Sequence, residues 1–391
     1  MAEEPCKYRL EREVGRGSYG VVYEATVSDT GRRVAVKRIR CSEPETVEMA
    51  LQEFWALRSI QSQHPNVIRL QECLLQSGPA SIQPISSRRK PPSHLLLVES
   101  CLKGRRSAGE GSCFLWFITD YCDGGNLNDF LLARPPDPRL HRACMQQLAG
   151  AVAFLHRNQI VHRDLKPENV LVSQGPSGPE LKVADFGLSK VCQGNVNVNQ
   201  YRLSSACGSD FYMAPEVFEG RYTAKADIFS LGILFWAMVE LVTFRDADSQ
   251  KELLGVYICQ GKNLVSVGEA LLENPNLELQ IPLKNKKSLP SDVCKLILDM
   301  LALNCKERLD AFQLEIRIEQ LSGLRDFALA NIAFTVLHGI CCYIGAATMY
   351  ARYTLLRHRS AESGKKRTWA NVALLLLGLL ACQAYFLENF P

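Results

Sequence analysis

Two short strings set residues of complementary chemistry close together: HRDLKPEN at 162–169 and ADFGLSK at 184–190. Asp164 offers a carboxylate that can take or orient a hydroxyl proton, and Lys166 a mobile positive charge. Asn169 and Asp185 offer an amide and a carboxylate oxygen, the hard donors that magnesium prefers. That set suits phosphoryl transfer, in which a protein does little covalent work and mainly positions reactants and neutralises charge. Upstream, GRGSYGVV at 15–22 spaces Gly15, Gly17 and Gly20 as GxGxxGxV, where a missing Cβ lets backbone amides approach phosphates. VAVK at 34–37 puts Lys37 on the next strand, placed to meet the α- and β-phosphates, and Glu53 in QEFWALRSI can pair with it. Alone, the glycines fit an ordinary hairpin and Glu53 a solvated helix face. Their order, ahead of both catalytic strings, carries the reading.

The elements that must position these residues follow from the pattern around them. Strand-like alternation with turns runs to about residue 75, interrupted by an amphipathic helix from Glu45 to Ile60. Residues 76–112, rich in Ser, Pro, Gly and Arg around LLLV at 95–98, form a long loop inserted between two strands, with room for a short strand inside it. Arg88, Arg89 and Lys90 in it fit a solvated loop, or else a nuclear-import or docking patch. From Leu115 to about Leu321 helical periodicity dominates.

Over about residues 8–321 the sequence resembles the eukaryotic protein kinase family. MAPE at 213–216 matches the family's APE motif, with Glu216 expected to pair with Arg308, and Asp227 in KADIFSLG matches the aspartate that anchors the catalytic loop. Leu57, His162 and Phe186 fit its apolar spine. The resemblance implies an α+β, two-lobed protein kinase fold over 1–321: a β-rich N-lobe over 8–120 and a helical C-lobe over 121–321. It implies ATP in the cleft, with Val22 and Ala35 as roof, Leu171 as floor, Thr119 as gatekeeper, and Asp120, Tyr121 and Cys122 as hinge. Cys122 is then a quiet hinge residue or a reactive thiol near ATP. Lys166 and Ser209 imply protein substrates phosphorylated on Ser or Thr. Ser205, with Ser204 beside it, matches the activating phosphosite, and Arg163 and Lys190 could receive its phosphate. Where kinases directed to basic substrates carry three acids, this chain has Asn126, Glu168 and Ala237. EFWALRSIQSQHPNVI, SACGSDFYMAPEV, KELLG and GEALLENP look like the PDZ-LIM-interacting, serine/threonine kinase thirty-five-like group, which implies an actin-associated PDZ-LIM partner and a nuclear and cytoplasmic location.

The remainder, 322–391, differs in kind. Residues 327–350 contain no Asp, Glu, Lys or Arg, about 36 Å of helix, and 370–387 form a second uncharged stretch. These read as hydrophobic C-terminal transmembrane helices, or alternatively as core helices of a soluble fold. Between them lie Arg352, Arg357, Arg359, Lys365, Lys366 and Arg367. A single span over 370–387 keeps those cations and the kinase domain in the cytosol, as the positive-inside tendency favours. Asn331, His338, Gly339 and Gly345 make the first stretch the weaker span. The whole chain of 391 residues is 47 % hydrophobic, with 45 basic against 41 acidic side chains, a balance that gives no argument for nucleic acid as a partner. MAEEPCKYRL has no basic start and apolar run, so the 15 cysteines read as reduced thiols. The expectation is a membrane-tethered kinase using Mg-ATP. A catalytically weak kinase-fold scaffold that recruits signalling or cytoskeletal partners is the alternative.

Overall fold

The computed structural model describes residues 7–17, 20–41, 43–60, 62–77, 81–85, 113–175, 178–192, 197–205, 207–246, 249–261, 263–283 and 289–321. The chain divides into two units, Met1–Ser322 and Gly323–Pro391.

In the first unit the N-terminal part is an antiparallel sheet of order β1-β2-β3-β6-β4-β5, built from β1 (Tyr8–Gly17), β2 (Gly20–Val27), β3 (Arg33–Arg40), β4 (Leu70–Ser77), β5 (Ser81–Pro84) and β6 (Cys113–Asp120). Side chains alternate across a strand, so each strand serves two faces. Val34 and Val36 of β3 join Tyr8, Val27, Trp116 and Ile118 in a small cluster on one face. Ile39, Leu115 and Phe117 face the main core together with Phe54 and Leu57 of α1 (Pro44–Ser59). Pro44 suits the first turn of α1, where its missing N–H costs nothing. Ala50, Glu53, Phe54 and Leu57 recur at helical spacing, so Glu53 is carried inward with the apolar face.

The C-terminal part is organised around α5 (Lys225–Glu240), which is buried on every face from Ala226 to Met238. Such a helix has no solvent side and must sit at the centre of its lobe. Around it lie α2 (Leu127–Leu132), α3 (Pro138–Arg157), α4 (Pro215–Phe218), α6 (Val267–Glu273), α7 (Ser291–Met300) and α8 over 311–321. Arg308, ahead of α8, is fully buried and grips both carboxylate oxygens of Glu216 in α4, at 2.5 and 2.9 Å.

In the inserted segment 76–112, which had room for a short strand, β4 continues to Ser77 and pairs with β5, Gln76 opposite Ile82. The edge strand forms from a stretch of only four residues, too short to show alternation. Residues 86–112, with Arg88, Arg89, Lys90 and the LLLV run, lie outside the described residues. Helical periodicity also hides four two-stranded sheets among the helices: β7 (Ile160–Val161) with β10 (Lys190–Val191), β8 (Val170–Gly175) with β9 (Gly178–Val183), β11 (Thr243–Arg245) with β12 (Glu252–Leu254), and β13 (Tyr257–Gln260) with β14 (Asn263–Ser266). The hydrophobic stretches 327–350 and 370–387 also lie outside the described residues; among the described ones no helix is long and apolar enough to cross a membrane.

Candidate active site

The glycine pattern spans the turn between β1 and β2, with Gly15 opposite Val22 and Gly17 opposite Gly20. The three glycines are not equivalent. A Cβ at Gly20 would lie 2.7 Å from the Arg38 carbonyl oxygen, so β3 itself demands that glycine. At Gly17 a Cβ would meet nothing within 4 Å, so packing does not demand that glycine.

Val22 pairs with Lys37, and Ala35 with Thr119 at the end of β6, so the expected roof and gatekeeper residues share one sheet. Asp120 accepts from the Gln71 amide at 2.9 Å, and the Tyr121 hydroxyl donates to Glu24 at 3.1 Å. Burial pushes the Cys122 thiol up to about 12, which makes it a poor nucleophile. Leu171, on β8, bridges back to Asn126.

Lys37 is where the two lobes meet. Its Nζ lies 2.7 Å from Glu53 Oε2 on α1 and 3.0 Å from Asp185 Oδ1 in the C-lobe. Burial alone would lower the lysine's affinity for its proton, but the charges of Glu53 and Asp185 outweigh it and the net shift is upward. Asp185, for which burial works upward, is brought below the ordinary aspartate value by Lys37. The expected spine residues are all buried, and the His162 and Phe186 rings meet edge to face, 5.0 Å apart.

The catalytic loop is held from beneath. Asp227 accepts from the backbone N–H groups of His162 (2.9 Å) and Arg163 (2.8 Å), and its Oδ2 is 2.9 Å from His156 Nε2. Arg163 and Asp185 both have left-handed backbones, φ +68° and +60°, a conformation costing about 1–3 kcal/mol that persists only where the surroundings enforce it. Asp164, beside Arg163, accepts from Asn169 Nδ2 at 2.8 Å and from Ser209 Oγ at 2.9 Å. Ser209 in turn accepts from Lys166 Nζ at 2.7 Å, so one hydroxyl links the carboxylate, the lysine and the substrate-facing loop. Gly208 precedes it at φ +120°, where a Cβ would lie 2.5 Å from the Arg163 carbonyl oxygen.

Arg163 reaches the activation segment as well, donating to the Leu188 carbonyl at 2.5 Å and to Ser205 Oγ at 2.9 Å. Ser204 and Ser205 are exposed; Lys190, the other expected phosphate receiver, is exposed on β10. Of the three positions considered for a basic substrate, Asn126 caps α2 through its side-chain oxygen, and Ala237 is buried in α5. Glu168 keeps one buried carboxylate oxygen without a hydrogen-bond partner among the described residues.

A nucleotide and a divalent cation fit this arrangement. The Asp185 side chain is 50 % exposed, and the Asn169 amide nitrogen is spent on Asp164, which turns its oxygen into the spare donor. Among the described residues no cluster of three or more His, Cys, Asp or Glu forms a complete cage. Two protein oxygens completed by phosphate and water are the usual holding for magnesium.

A family model for the protein kinase domain matches residues 8–316. The chain belongs to the protein kinase family. Among its relatives, the serine/threonine-protein kinase ATG1c of Arabidopsis thaliana is 32 % identical over 251 residues, which are 63 % of this chain and 28 % of that protein. Calcium-dependent protein kinase 5 of Plasmodium berghei (strain Anka) is 27 % identical over 234 residues, 59 % of this chain and 34 % of that one. The matched part of this kinase thus spans about a third of each relative's length. Sequence reasoning missed Asn128, whose Oδ1 accepts from the Leu254 N–H, His156, which meets Asp227, and Tyr222, whose hydroxyl donates to the Ser205 carbonyl. None of them lies in a recognisable string; their partners sit 126, 71 and 17 positions away.

Proposed function

We propose that this chain is a serine/threonine protein kinase that transfers the γ-phosphoryl group of Mg-ATP to hydroxyls of protein substrates, with its C-terminal segments tethering it to a membrane. The simultaneous pairing of Lys37 with Glu53 and Asp185 carries the catalytic reading, because it aligns both lobes as phosphoryl transfer requires. Bound Mg-ATP supplies the phosphoryl group and neutralises its charge. Asp164 takes or orients the proton of the acceptor hydroxyl, held for that by Asn169 and Ser209. Lys166, shared between Asp164 and Ser209, steadies the transferring group, and Asn169 and Asp185 hold the cation. Ser205 is the regulatory acceptor in this reading: its hydroxyl already faces the Arg163 guanidinium, a group suited to a phosphate.

Membrane tethering rests on the two charge-free stretches, 327–350 and 370–387, and on the basic run between them, which keeps the catalytic domain cytosolic. Tethering raises the effective concentration of substrates on the same membrane. The strings that resemble the PDZ-LIM-interacting group support an actin-associated partner for the same chain.

The test compares intact protein with Asp185→Asn in a phosphorylation assay with labelled ATP. Transfer to protein by the intact chain, lost in the variant, is expected. Equal background from both would instead favour a kinase-fold scaffold.

A further inference from the structure

The segment that joins the two lobes is fastened to the strands above the cleft by side chains that lie outside every motif. Glu24 on β2 stands opposite Ala35, as Val22 stands opposite Lys37, so alternation puts its carboxylate on the sheet face that carries those three residues. Three donors converge on it: Arg12 Nε from β1 at 2.9 Å, Arg33 Nη1 from β3 at 3.4 Å and the Tyr121 hydroxyl, just past β6, at 3.1 Å. The same hydroxyl accepts from Arg12 Nη2 at 3.3 Å, and the Arg33 guanidinium lies over the Tyr121 ring, 4.9 Å from its centroid. Three strands and the inter-lobe segment thus meet at one carboxylate.

A second tie runs beside the first. Arg32 donates to Gln71 Oε1 on β4 at 2.7 Å, and the Gln71 amide donates to Asp120 at 2.9 Å. Adjacent arginines therefore reach the adjacent side chains of Asp120 and Tyr121 by separate routes. Arg12 and Arg33 are 68 % and 55 % exposed, and isolated ion pairs so placed contribute little. Glu24 is only 12 % exposed and serves three donors at once, so its loss releases all of them together.

We propose that Glu24 is a positioning residue for nucleotide binding, which holds the roof strands at a fixed spacing from the hinge through Tyr121, Arg12 and Arg33. The inference rests on the kinase reading above and adds to it the group that sets the height of the cleft. A nucleotide entering a gap already set meets no cost of ordering it, whereas strands freed from the hinge must be ordered by the nucleotide itself. That cost falls on affinity. Once the nucleotide is bound the chemical step is untouched, because Asp164, Lys166, Asn169 and Asp185 all lie in the other lobe.

The test uses the full-length protein and reads two quantities, equilibrium binding of labelled Mg-ADP and the ATP dependence of autophosphorylation. Glu24→Ala should weaken Mg-ADP about fivefold and raise KM for ATP to match, with the rate at saturating ATP within about twofold of wild type. Tyr121→Phe, which removes a single hydroxyl and keeps the ring under Arg33, should weaken the nucleotide about twofold, and the double variant should be no worse than Glu24→Ala alone. Nucleotide affinity unchanged in both single variants, additive losses in the double variant, or a fall in the saturated rate at unchanged affinity each overturns the inference and leaves the kinase reading standing. Should Glu24→Ala fail to fold, Tyr121→Phe decides by itself, with unchanged affinity counting against the inference. Wild-type protein that neither binds Mg-ADP nor phosphorylates would overturn both.

Discussion

Lys37, Asp227 and Cys122 show how far local environment sets what a side chain can do. Asp227 is 1 % exposed; burial pushes its carboxyl upward, but the hydrogen bond and charge of His156 outweigh burial and hold it below the ordinary aspartate value of 3.8. A group depressed in the folded state contributes stability that is present above its unfolded pKa and lost as pH falls through the folded one. Wild type should therefore exceed Asp227→Asn in thermal midpoint at pH 5, by a margin that shrinks as pH falls below about 4. A margin that does not shrink below about pH 4 would show that ionisation of Asp227 does not carry it. Cys122, pushed up to about 12 by burial, should escape iodoacetamide at pH 7.5 while exposed Cys259 is alkylated, which peptide mass spectrometry reads directly. The proximity of the candidate site residues Asp164, Lys166, Asn169 and Asp185 was legible in the sequence because they fall in two contiguous strings. His156 and Asn128 were not, because a buried hydrogen bond between residues far apart in the chain leaves no local pattern.

At the scale of elements, the catalytic loop and the substrate-facing loop are locked together through backbone geometry. Gly208 has a left-handed φ of +120° and passes so close to the Arg163 carbonyl that any Cβ must displace one loop from the other. Because Ser209 follows directly, that displacement would pull its hydroxyl from Asp164 and Lys166. Gly208→Ala should cut kcat by about a hundredfold, the cost of misplacing reacting groups by about 1 Å, with little change in KM for ATP. Steady-state kinetics at saturating peptide would check this; an unaffected kcat would mean the loops are not coupled at this contact. The long elements were readable: α1 follows the expected helix to within a residue or so, and β3 carries Lys37 as its alternation requires. The β11–β12 hairpin was not, since its three-residue strands are formed by packing on Tyr212 and Asn128 rather than by any pattern of their own.

For the whole molecule the open matter is what the chain beyond the kinase domain does. The family match ends at residue 316, and the two uncharged stretches both come later. If the second stretch is a span, its burial in lipid holds the protein far more firmly than any charge attraction could. Full-length protein should then remain in the membrane pellet after extraction at alkaline pH, while the 1–322 truncation appears in the supernatant with its kinase activity intact. High salt alone should release neither more nor less of the full-length chain, because the six cations between the stretches assist orientation rather than retention. Release of the full-length protein by alkali would make the tail peripheral or folded upon itself, and a glycosylation acceptor placed within 352–369 separates the remaining cases. Modification there puts the basic segment across the membrane and requires two spans. An unmodified acceptor in alkali-resistant protein leaves one span over 370–387, with the catalytic domain and all six cations on the side where ATP is available.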